Sequence, residues 1–231
     1  MNYLNCMATL ILSSVFPVMT VIGQSGAQTE SQTVNTRVGA DIHVQQKEVP
    51  LVLEDLLRGT DFSGGVAEEI SCSTLPTAQL DVKEGMTVQE AMGSFVAANP
   101  RYRWMEDTNV VNVLPAVEFP LLNVKISSFE IETTDRTKAR AVLYQLLNLP
   151  EVRRRAAELN LKPGLMQGWL ETLRTPGYPE KTPRPIHFSL HNVSLQEAFN
   201  SVVRVYGNVI WIYDEHQCNG ERTYVVRASE K

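Results

Sequence analysis

His187 and His191 stand four residues apart, His216 and Cys218 flank a single residue, and Cys72 lies far upstream; these side chains could bind a metal. A His pair at that spacing converges on one face of a helix, but Ile186, Phe188 and Leu190 alternate with polar residues as a strand does. Cys72, His216 and Cys218 together fall short of a structural zinc set, so no metal site and no cofactor is expected. Glu90 and Glu197 invite a reading as paired acid and base, yet each stands three residues after a hydroxyl residue, Thr87 or Ser194, where a helix-capping role accounts for it. Ser63-Gly64-Gly65 lacks the Lys-Ser/Thr that completes a phosphate loop and reads as a turn. Arg153, Arg154 and Arg155 are consecutive, which spreads them around a helix as a solvated face. Asn192-Val193-Ser194 matches a glycan acceptor but runs straight into a capped helix. No nucleophile and base stand at suggestive spacing, so no catalytic residue is assigned and the chain is not expected to be an enzyme.

What must position such residues is a repeat. Thr87 to Asp107 aligns without a gap on Ser194 to Asp214, 107 positions on, with seven of 21 pairs identical, among them Gln89/Gln196, Glu90/Glu197, Trp104/Trp211 and Asp107/Asp214. In each copy a capping box opens a helix whose apolar residues recur at helical spacing: Val88, Ala91, Met92, Phe95 and Val96, then Leu195, Ala198, Phe199, Val202 and Val203. Asn99-Pro100 and Tyr206-Gly207-Asn208 close these helices, and an aromatic, β-branched strand follows each. A hairpin then returns through Val110 to Val113 and Thr223 to Val226, with a longer loop expected in the second copy.

Upstream, Ile42 and Val44 begin a strand, and Pro50 opens a helix with Leu51, Leu53, Leu56 and Leu57 that ends at Gly59. Leu121 to Ile131 predicts a long strand with a register break at Ser127-Ser128, followed by a helix capped by Asp135 and a second one opened by Pro150. A third short helix, Gly164 to Leu173, precedes a proline-rich connection through Thr182 to Pro185.

The order short strand, leucine-bearing helix, strand, strand, capped "T/S-x-Q-E-A" helix, aromatic strand and final "VVNVLP" strand resembles the secretin and TonB short N-terminal domain. The likeness covers residues 41 to 115 and, with an insertion, 121 to 228. It implies small envelope modules that dock other proteins and are not enzymes. The chain holds no long region for a channel or receptor barrel, so that part of the family's role does not carry over.

Met7 to Gly23 is an apolar run followed by small residues at Ser25 and Ala27, which reads as a signal peptide over 1–27, or an N-terminal anchor if it is not cleaved. A flexible lead-in covers 28–40. The mature chain then keeps two cysteines, Cys72 and Cys218, a candidate disulfide in an oxidising compartment, periplasmic or extracellular. A net charge of −5 gives no broad reason to bind nucleic acid or an anionic membrane.

The expectation is an α+β protein of two related βαββαβ-like modules, 41–117 and 118–231, each with helices packed on a small mixed sheet, the second carrying a helical insertion at 150–185. Its expected role is that of an exported, non-enzymatic interaction or assembly module of the bacterial envelope; the alternative is an exported enzyme or ligand-binding protein using a cleft between the modules. The partner is an envelope protein or a second copy, met at an exposed sheet edge. Leu121 to Ile131, with Val124 and Ile126, and Thr223 to Val226 are the candidate edges, and whichever of Trp104 and Trp211 faces outward is the candidate anchor.

Overall fold

The computed structural model describes residues 36–72, 74–133, 138–164 and 186–230. The signal segment, most of the lead-in, Asp135, most of the third helix expected from Gly164 and the proline-rich connection lie outside these residues. The first copy runs β1 (Ile42–Glu48), α1 (Val49–Leu57), β2 (Ser63–Ser71), β3 (Thr77–Val82), α2 (Val88–Ala98), β4 (Tyr102–Asp107) and β5 (Val110–Pro115). The second runs β6 (Lys125–Thr133), α3 (Ala139–Leu147), α4 (Pro150–Glu158), β7 (Lys162–Pro163), β8 (Ile186–Ser194), α5 (Leu195–Tyr206), β9 (Val209–Cys218) and β10 (Glu221–Glu230). The mixed class is α+β as expected, and each copy has one strand more than βαββαβ because its closing hairpin contributes two.

The pairings repeat with the sequence. β1 pairs antiparallel with β3, as β6 does with β8. β4 pairs antiparallel with β5 and β5 parallel with β2, as β9 pairs with β10 and β10 with β7. The two trios do not stay apart: β2 pairs parallel with β9 from Gly64↔Ile210 to Ser71↔Gln217, making one six-stranded sheet in the order β4-β5-β2-β9-β10-β7. Because β2 and β9 are parallel while the order of roles is preserved, the second trio runs in the opposite sense to the first. The copies are therefore related by a half-turn about the direction across the strands, plus a step of three strands.

A half-turn of that kind exchanges the faces of the sheet. Val66, Val111, Val113, Ile210 and Ile212 point one way, into a core with Leu53, Leu56 and Leu57 of α1 and Met92 and Phe95 of α2. Ala67, Val110, Leu114, Trp211 and Tyr213 point the other way, into a core with Val142, Leu143 and Leu146 of α3 and Phe199, Val202 and Val203 of α5. Both repeated helices open on complete capping boxes: the Glu90 backbone N–H donates to Thr87 and the Thr87 N–H to Glu90, with the same exchange between Ser194 and Glu197. These bonds hold both glutamates below their usual carboxylate range. Thr87→Ala and Ser194→Ala should each cost about 1 kcal/mol of stability in denaturant titrations, and a neutral result at either would remove the cap from the account.

Three local expectations need correction. Ser63-Gly64-Gly65 is not a turn but the start of β2. Both hairpins turn on two residues, Thr108-Asn109 and Asn219-Gly220, all at positive φ, so the second has longer strands in place of a longer loop. Ser127 and Ser128 are both exposed, but β8 shares the break through Asn192, at φ 53°, and the pairing keeps its register. The register shift falls instead in β1, between Val44 and Lys47, where Gln46 has φ 52°.

Candidate functional site

The hairpin geometry decides which backbone groups of β4 face β5 and which face outward. A two-residue turn closes on a hydrogen-bonded pair, here Asp107 with Val110, and bonded pairs then alternate. Arg103, Met105 and Asp107 therefore spend their backbone groups on β5, while Trp104 and Glu106 aim theirs away from the sheet. The Ser63 N–H donates to the Asn109 carbonyl at 3.0 Å, which fixes the same phase from the β2 side. Among the described residues no strand pairs with that outer side of β4.

Its twin in the repeat shows the same edge covered. Trp211 occupies in β9 the place of Trp104 in β4, and β2 lies against it in parallel with Gly65 directly opposite. The Trp211 indole lies over Gly65, donates from Nε1 to Asn200 Oδ1 at 2.7 Å, and packs on Phe199 with ring centroids 5.6 Å apart. Asn200 in turn donates to Asp107 Oδ2 at 2.8 Å, and Arg204 donates to the Thr108 and Asp107 carbonyls, so α5 of one copy grips the β4–β5 turn of the other. At the place of Asn200 the first copy has Gly93, and a Cβ built there meets nothing within 4 Å. Trp104 is half-buried, packed against the α1–α2 core, with open space where its twin has a polar partner.

The other proposed positions fall differently. Trp211 is fully buried, so its ring is core and cannot anchor a partner. Ile126 is fully buried and Val124 packs against the same core, its carbonyl accepting from the Leu195 N–H. The side of β6 away from β8 is obstructed, because the Ser127 N–H donates to Glu151 of α4 at 3.2 Å. Thr223 and Tyr224 of β10 lie between β9 and β7, inside the sheet. Cys72 and Cys218 sit at disulfide distance, Cα to Cα 4.5 Å, which takes both thiols out of any zinc set with His216. His187 and His191 are exposed on β8, and Arg154 is exposed on α4 while Arg153 and Arg155 bond to Asn148 and Glu158.

The junction between copies holds buried acids that the sequence reading passed over. Glu68 of β2 lies opposite Asp214 of β9, both almost fully buried. The Tyr102 hydroxyl donates to Glu68 at 3.3 Å, and Arg227 donates to Asp214 Oδ2 from Nε at 2.9 Å and Nη2 at 2.8 Å. On the opposite face Tyr213 and Arg222 donate to Glu215. Burial, then the charge of Asp214, pushes Glu68 up to about 7, and burial also raises Asp214 despite Arg227. The signal was Glu68 falling in phase with Val66 and Ile70, an acid on the core side of an alternating strand.

A raised carboxyl binds more protons folded than unfolded, so its contribution to stability falls as pH rises from 4.5, its ordinary value, towards 7. Glu68→Gln keeps an acceptor for Tyr102 and removes the charge. It should stabilise the protein at pH 8 by about 2 kcal/mol and by much less at pH 5, as read from urea midpoints. Equal effects at both pH values would refute the linkage.

Where a cleft between the copies would lie, the β2–β9 ladder and these side chains fill the space. A groove of about 110 Å³ lined by Arg103, Leu114, Phe119, Leu122 and Gln196 opens beside β4, well under the roughly 300 Å³ at which pockets begin to enclose drug-sized ligands. The chain matches no family model, and no curated protein or solved structure is significantly similar to it. Among the described residues no helix is long and apolar enough to cross a membrane.

Proposed function

We propose that this chain is an exported, non-enzymatic interaction or assembly component of the bacterial cell envelope that docks an extended partner segment on the outer side of β4. One observation carries this reading: the repeat contains the same edge twice, once paired with a parallel strand and once, among the described residues, with no strand beside it. β1, β3, β6 and β8 also have outer sides, but among the described residues no strand pairs with the outer side of either member of those twin pairs, so the repeat offers no covered twin that marks them as docking edges. Backbone pairing supplies affinity in this mode, and side-chain pockets supply selectivity. The apolar run Met7 to Gly23 and the Cys72–Cys218 pair support export, and the resemblance to the secretin and TonB short N-terminal domain supports an envelope setting.

The test compares Trp104→Pro with Trp104→Ala. Both lose the ring, but only proline removes the outward N–H, and edge positions tolerate it without loss of a ladder bond. With a photo-reactive residue at exposed Met105, cross-linking in intact envelopes should give a discrete adduct that survives in the alanine variant and is lost in the proline variant. An adduct of equal yield in a folded proline variant would show that β4 is not the docking edge.

A further inference from the structure

A row of polar side chains crosses the six-stranded sheet on the face that carries the α1–α2 core, and it runs through the seam where β2 of one copy pairs with β9 of the other. Glu68 and Asp214 stand directly opposite each other in that parallel ladder, with side chains on one face of strands that lie about 4.8 Å apart. Both are almost fully buried, at 2% and 1% exposure. Tyr102 closes one end of the row by donating to Glu68 Oε1, and Arg227 closes the other by donating twice to Asp214 Oδ2. Asp214 Oδ1 is left buried with no hydrogen-bond partner among the described residues, a costly state for a charged oxygen. The other charged groups that act on the pair are Arg101 ahead of β4, His216 on the same face of β9 and Glu48 at the end of β1, while Glu54 of α1 is taken up by Ser229 of β10.

We infer that on the acid side of neutrality Glu68 and Asp214 hold one proton between them, carried by Glu68 and donated to Asp214 Oδ1, and that its loss loosens the pairing of β2 with β9. With the proton in place the row is satisfied from end to end. Tyr102 donates to Glu68, Glu68 to Asp214 Oδ1 and Arg227 to Asp214 Oδ2, and the charges left in the row are one carboxylate and one guanidinium. Without it, that single guanidinium faces two buried carboxylates, which repel each other across adjacent strands. Burial, then the charge of Asp214, holds Glu68 at about 7, so the proton leaves as the pH passes neutrality. When the ladder opens and Glu68 meets water, its affinity returns to the ordinary 4.5. Opening therefore becomes easier as the pH rises from 4.5 to about 7 and changes little beyond, which sets the pH at which the two copies are held rigidly together.

The test titrates the oxidised full chain by NMR with carbon-13 in its side-chain carboxyls. Glu68 and Asp214 should shift together in one step at about 7. Hydrogen exchange reads the seam itself: protection of the β2–β9 amides, corrected for intrinsic rate, should fall by roughly tenfold or more between pH 5 and pH 8, and by less in the β6–β8 pair. Glu68→Gln fixes the protonated arrangement, because its amide donates to Asp214 Oδ1 while its carbonyl accepts from Tyr102, and it should abolish the fall. Asp214→Asn should move the Glu68 step down by roughly one pH unit. His216→Asn, which removes the imidazole on the same face, should leave the fall in place. A water bridging the two acids in place of the proton requires both to be ionised throughout this range, so the lack of any step from either carboxyl between pH 5 and pH 9 overturns the inference. A fall that survives Glu68→Gln or disappears in His216→Asn assigns the response to another group and overturns it as well. An equal fall in the β6–β8 amides overturns the role given to the seam.

Discussion

Replacing Cys72 and Cys218 by alanine should lower the unfolding free energy by about 5 kcal/mol, the largest effect of any change made outside the core. The two cysteines are 146 residues apart, and in the chain-entropy account a bond closing so long a loop removes much of the freedom of the unfolded chain. Its position adds a native-state role. Cys72 follows the last residue of β2, its N–H donating to the Gln217 carbonyl at 3.0 Å, and Cys218 closes β9 beside the turn. The bond thus ties off the far end of the β2–β9 ladder, the seam between the copies. Urea unfolding of the oxidised protein, with and without reductant, measures the effect, and the alanine variant should no longer respond to reductant. A change below about 1 kcal/mol would mean that the thiols are not joined in the native protein or that the seam does not depend on them.

The repeat was legible because it is written in local rules. A capping hydroxyl with glutamate three residues on, and apolar residues at helical spacing, depend only on near neighbours in the chain, and both helices begin where those signals place them. The pairing of β2 with β9 depends on residues about 146 apart and left only indirect marks. Gly64 and Gly65 are the clearest case. Two adjacent glycines signal a turn when backbone freedom is the reason for them, but these sit in regular strand, and the reason is a tryptophan far along the chain. Asn219-Gly220 is the opposite case, a local hairpin signal of full strength that a search for a longer loop overlooked. Trp104 and Trp211 looked alike in sequence because the repeat made them so. What separates them is that one has β2 beside it and Asn200 above it, and both facts belong to the tertiary fold.

Gly65→Ala should destabilise the protein by about 3 kcal/mol or more, an unusual cost for a single methyl group in a strand. Its Cβ would stand 2.2 Å from Cε2 and 2.4 Å from Cζ2 and Nε1 of Trp211, so something must move. The indole cannot retreat cheaply: Nε1–H is held by Asn200 at 2.7 Å, Asn200 is held by Asp107 at 2.8 Å, and Phe199 packs against the ring. The backbone cannot retreat either, because β2 is paired with β5 on one side and β9 on the other. Gly64→Ala makes the contrast. Its nearest neighbours are aliphatic side-chain atoms, Ile210 Cγ1 and Leu53 Cδ2 at 2.9 Å and Leu57 Cδ1 at 3.2 Å, which have to give by less than the indole does, so a smaller cost of about 1 to 2 kcal/mol is expected. A double-mutant cycle isolates the cause. Trp211→Leu alone opens a cavity and should cost about 3 to 5 kcal/mol, but adding Gly65→Ala to it should cost little more, giving a large coupling between the two sites. If the two changes add independently, the clash with Trp211 is not what excludes a side chain at position 65.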